Sequence, residues 1–149
     1  MMASTFAKLI TWTIANSTYS APAEIPEITY QSSQHFVDTV CESVAPCRAK
    51  GYYKDGSNRI VLHESYRELD SIEKQALVIH EITHYLQDKS DRWRDGEPCD
   101  VWIGREEESF RLQLRYISVR TGGINLHRRM PRFDREHCEG LQRQPLAGE

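Results

Sequence analysis

An α+β domain, with several helices packed on a small antiparallel sheet, is what this 149-residue sequence predicts. Three observations carry that expectation. Residues 70–88 and 101–119 each place apolar side chains at helical spacing, and two short β-branched and aromatic runs flank a Gly-containing turn over 51–63. A chain of this length defaults to one domain and can bury a sizeable core unaided. Residues 1–149 are therefore read as a single domain: an N-terminal helical region over 1–50, a core over 51–120, and a mostly irregular tail over 121–149.

Taken in order, Phe6, Leu9, Ile10, Thr13 and Ile14 draw one face of a helix that ends at polar Asn16–Ser20 and at Pro22 and Pro26. Lys8 and the apolar run to Ala15 share features with a signal peptide. That run is short and broken by threonines, so a helix is expected. Ser33 to Cys41 reads as a short helix with Phe36, Val37 and Val40 inward. Gly51-Tyr52-Tyr53 and Arg59-Ile60-Val61-Leu62-His63 then read as a hairpin around Lys54–Asn58.

The next helix carries the chemistry. Ile72, Ala76, Ile79, Thr83 and Leu86 recur at steps of four and three, Asp70 is placed to cap the start with Glu73 three residues on, and no Pro or Gly interrupts the run through Asp88. Beside that stripe stands His80-Glu81-Ile82-Thr83-His84. Successive helical residues turn about 100°, so the two histidines project from one face, one turn apart, where both imidazoles can meet one ion. Two neutral imidazoles suit Zn²⁺, and Glu81, close without being a ligand, is placed to accept a proton from a metal-bound water. With six His and fourteen Glu in the chain, chance alone would produce H-E-x-x-H about 2% of the time. The helical context argues against coincidence.

Such a site needs a third ligand. Ile103, Phe110, Leu114 and Ile117 define a face of the following helix, with Glu106 and Glu107 projecting near it and Glu108 pointing more toward solvent. Gly122-Gly123 ends that helix.

At these residues the chain resembles the gluzincin-type zinc metallopeptidases, of which thermolysin is a member, and especially small bacterial zinc-peptidase-like proteins; the resemblance covers roughly residues 50 to 120. It rests on Val78–Gln87 followed by Glu106–Gln113. It implies a zincin-like fold, with the motif helix and the glutamate helix facing each other across one Zn²⁺ held by His80, His84 and Glu106, with Glu81 as general base in peptide-bond hydrolysis. Glu106 precedes a small residue, Ser109, by three positions as in that group; Glu107, which precedes Phe110, fits less well. The resemblance also implies that an antiparallel edge strand, here Arg59–His63, receives an extended peptide. Many gluzincins carry an Asp four residues after the ligand glutamate, and this chain has Phe110 there. Asp100, Glu107 or backbone carbonyls are then the candidates to orient the histidines. Tyr116, Tyr53 and His127 are candidate oxyanion donors, and His63 could approach the metal.

The resulting expectation is a zinc-dependent metallopeptidase acting on a peptide or protein. The alternative is a non-catalytic binding or regulatory protein that keeps the zinc-binding fold. A net charge of −3 offers no general attraction to nucleic acid, and the basic run Arg128, Arg129, Arg132, Arg135, with His127 and Phe133, reads as solvated surface. No apolar span is long enough for a membrane helix, and a monomer is expected. Four cysteines without C-x-x-C spacing point to disulfides, Cys41–Cys47 and Cys99–Cys138, and so to the periplasm or the outside of the cell.

Overall fold

The computed structural model describes residues 2–43, 47–123 and 131–143. Among these the protein is α+β, with five helices and a three-stranded mixed sheet. The chain runs α1 (Met2–Ala15), β1 (Glu27–Gln31), α2 (Ser33–Thr39), β2 (Gly51–Tyr53), β3 (Arg59–His63), α3 (Ile72–Lys89), α4 (Pro98–Thr121) and α5 (Arg135–Arg143), with a single 3₁₀ turn at Glu64–Tyr66.

The sheet corrects two expectations. It is not purely antiparallel: β2 and β3 form the expected hairpin, but β1 adds to the other side of β3 in parallel, Glu27 opposite Arg59 and Gln31 opposite His63. Arg59–His63 is consequently the central strand, paired on both sides, and not an edge open to a peptide. Among the described residues, the free edges belong to β1 and β2. Burial explains the placement, since Ile60 through His63 are all buried, as a run covered on both faces requires.

The long helix α3 sits at the centre, packed against α4, α1 and the sheet. Ala76, Val78, Ile79, Ile82, Tyr85 and Leu86 meet Phe6, Leu9 and Ile10 of α1, Leu112, Tyr116 and Ile117 of α4, and Ile60 and Leu62 of β3 in one core. Each large apolar side chain so removed from water contributes about 1.5–3 kcal/mol. The cap of α3 is Ser71, whose hydroxyl accepts from Lys74 N at 3.1 Å; Asp70, expected in that role, pairs instead with the Lys74 ammonium at 3.1 Å. Glu97 caps α4, with Pro98 opening its first turn, and Gly122 ends it in a left-handed conformation at φ 69°.

Both disulfides form, Cys41–Cys47 and Cys99–Cys138. The second anchors α5 on the start of α4, where Arg135 also pairs with Glu97 at 3.0 Å and Asp100 at 2.7 Å. The tail is thus not irregular throughout: α5 is a helix held by a covalent bond. Of the basic run, Arg128 and Arg129, together with His127, lie outside the described residues, while Arg132 is exposed. Two disulfides point to an oxidising compartment. No helix among the described residues is long and apolar enough to cross a membrane.

Candidate metal centre

His80 and His84 project from α3 toward Glu106 of α4. The three Nε2 and carboxylate contacts are 3.2 Å between the imidazoles, 3.0 Å from His84 to Glu106 Oε1, and 3.5 Å from His80 to Glu106 Oε2. A tetrahedral zinc bound at its usual distances of about 2.0–2.1 Å holds its ligand atoms about 3.3 Å apart. The observed spacings bracket that value. The site is nearly closed to solvent, with the side chains of His80, His84 and Glu106 9%, 12% and 20% exposed.

The outer nitrogens of the two rings explain why this cluster calls for a cation. His80 Nδ1 donates to the Gln113 Oε1 carbonyl at 3.0 Å, and His84 Nδ1 to Gln87 Oε1 at 2.8 Å. Amide oxygens only accept, so each ring can hold a proton on Nδ1 and, once a cation is bound, offer it the Nε2 lone pair. Two such lone pairs and a carboxylate converge on one point. The residues present therefore fit a divalent metal with two imidazole ligands and one carboxylate, among which each donates one atom within 4.8 Å of the others.

Charges behave accordingly. Burial pushes the Glu106 carboxyl upward, but the hydrogen bonds and charge of His80 and His84 outweigh it and hold the group well below the usual carboxylate range. Glu81, 5% exposed, is raised to about 7, chiefly by burial; the His80 imidazole opposes this and the Glu106 carboxylate adds to it. One glutamate is thus kept anionic and its neighbour in space is poised near neutrality.

The surroundings correct the remaining expectations. Neither Asp100 nor Glu107 orients a histidine: Asp100 pairs with Arg135, and two glutamines do the work. Both stand at helical spacing, Gln87 three residues beyond His84 and Gln113 seven beyond Glu106, so the face they share with the ligands was available in the sequence. Phe110 replaces a hydrogen bond by packing, its ring edge-on to His80 with centroids 4.5 Å apart and Phe133 behind it at 5.4 Å. Glu108 points inward, its side chain 17% exposed, accepting from Tyr19, from Gln87 Nε2 at 2.9 Å and from Arg92 at 3.1 Å. Tyr53 donates to Asp88 and Tyr116 to Gln75. His63 is occupied on both ring nitrogens by Ser33 and Ser65 at 2.7 Å. His127 lies outside the described residues.

In comparison with known proteins, no family model, no curated protein and no solved structure matches this chain.

Proposed function

We propose that this protein is a zinc-dependent metallopeptidase of zincin-like fold that hydrolyses peptide bonds, working in the periplasm or outside the cell. The observation that carries the reading is the convergence of His80 Nε2, His84 Nε2 and Glu106, with contacts of 3.0–3.5 Å, beside a buried glutamate that is not itself one of the three. Zinc bound there would supply Lewis-acid activation of a water and of the scissile carbonyl. Glu81 would take the proton that this water loses as it attacks, and pass it to the departing amine. Burial raises this carboxyl above the usual carboxylate range, which favours its taking up that proton.

The edge strand β2 would hold the substrate. Lys50 O accepts from His63 N at 2.7 Å, so residue 50 turns its backbone toward β3, and by the alternation of an antiparallel ladder Gly51 and Tyr53 turn theirs to the free edge. A peptide pairing with that edge makes main-chain bonds that do not read sequence. Gly51 brings the edge against Glu81, a Cβ at position 51 falling 3.5 Å from Glu81 Cγ. The peptide would therefore run past the general base.

The test is to purify wild-type and Glu81→Gln proteins, measure bound zinc, and incubate each with unstructured peptides. Equal zinc content, with cleavage only by the wild type, is expected. Full zinc occupancy with no cleavage by either protein would favour a non-catalytic binding protein, and cleavage that persists in Glu81→Gln would remove the role given to that residue.

A further inference from the structure

We infer that Gln87 is a positioning residue for the zinc ligand His84, and that its two-faced carboxamide, rather than a carboxylate, is what the site requires. The inference rests on the zinc reading above. Gln87 is almost fully buried, 1% exposed, between α3 and α4. Its Nε2 donates to the Arg105 carbonyl and to Glu108 Oε1, both at 2.9 Å; neither partner can donate in return, so the amide is locked with its oxygen toward the metal centre. That oxygen accepts from His84 Nδ1 at 2.8 Å and from Arg105 Nε at 3.0 Å. Arg105 is itself fixed by a bidentate pair with Asp55 in the β2–β3 turn, at 2.7 and 2.8 Å. A chain of hydrogen bonds thus runs from the hairpin through Arg105 and Gln87 to His84. Each link fixes the next, and the last fixes which nitrogen of His84 faces the ion.

Metal-bound histidines commonly lean on carboxylates. Here a carboxylate at position 87 would set one oxygen where Nε2 now meets Glu108, two like charges at hydrogen-bond distance inside the protein. Gln87→Glu is therefore expected to weaken zinc binding, although it installs the group that most such sites use. Exchanging the pair, Gln87→Glu with Glu108→Gln, restores one donor against one carboxylate but still sets an oxygen against the Arg105 carbonyl, so it should recover the affinity only in part. Gln87→Met, of similar length and without an acceptor, should bind zinc about 10- to 100-fold more weakly.

The experiment is competition for zinc against a chromophoric chelator in wild type, His84→Ala and the three Gln87 variants, with the imidazole N–H protons of the zinc-loaded proteins followed by NMR. The expected result is a His84 Nδ1–H signal protected from exchange in the wild type and lost or exchanging in Gln87→Met. Unchanged affinity and protection in Gln87→Met would overturn the positioning role while leaving the zinc reading intact. No saturable zinc binding by wild type, or none lost in His84→Ala, would overturn both. Should Gln87→Met fail to fold, the single and exchanged Glu variants decide: equal affinity in the two would refute the requirement for the amide.

Discussion

Gly51 of β2 lies directly against Glu81 of α3, so that a Cβ at position 51 would stand 3.5 Å from Glu81 Cγ and 3.1 Å from Leu62 Cδ2. The contact ties the free sheet edge to the buried carboxylate. Gly51→Val adds three carbons where one is already tight, and overpacking of this kind costs about 1–3 kcal/mol. We expect a lower urea midpoint and a larger fractional loss of peptide cleavage than of zinc binding, because the crowded groups are Glu81 and the edge, not the histidines. Equal losses of both would place the damage elsewhere.

Zinc should stabilise the protein through three ligands, His80, His84 and Glu106. A ligand at a hundred times its Kd that binds only the folded state contributes about 2.7 kcal/mol. Thermal unfolding with and without zinc should show that increment in wild type and in Glu107→Ala, and lose it in His80→Ala, His84→Ala and Glu106→Ala. A zinc response that survives in Glu106→Ala but vanishes in Glu107→Ala would reverse the assignment of the third ligand.

Glu81 makes the metal-free protein sensitive to pH in a definite direction. Its carboxyl is raised from 4.5 to about 7 by burial, so the folded state holds the proton more tightly than the unfolded chain. That contribution is complete below the unfolded value and is lost as pH rises through about 7. The difference amounts to on the order of 3 kcal/mol. In chelator, Glu81→Gln should match wild type at pH 4 and be the more stable at pH 8. The depressed Glu106 acts with the opposite sign, losing stability as pH falls, but it is present in both proteins, and its repulsion of ionised Glu81 adds to the difference expected at pH 8. Urea titrations across this range provide the check; a gain that is the same at both pH values would show that Glu81 titrates normally.

How much of this was legible follows from the distance over which each feature is decided. His80 and His84 share a face because of helix geometry alone, whereas the preference for Glu106 over Glu107 comes from the family resemblance, through the small residue at 109. Ser109 is fully buried beside Gln87 and His84, where a larger side chain would hold the two helices apart. The hairpin was legible from its turn, and both disulfides from spacing. The parallel partner β1 was not, since Glu27–Gln31 finds β3 across α2 and β2 and no local signal encodes that pairing. Gln87, Gln113 and Glu108 were missed for another reason. Polar residues on a helix are ordinarily solvated, and only the arrival of a second helix makes them interior.

The covalent anchor of α5 gives the last prediction. Cys99–Cys138 closes a segment of 39 residues and Cys41–Cys47 one of 6. On the chain-entropy account, the first cross-link contributes about 4 kcal/mol and the second about 2. The first also holds Phe133 against Phe110, and so the aromatic backing of His80. The Cys99→Ser, Cys138→Ser protein should therefore unfold at lower urea than the Cys41→Ser, Cys47→Ser protein, and should alone show weakened zinc binding and early proteolysis after Arg132. If the shorter loop proves the more important in both respects, α5 does not brace the metal centre.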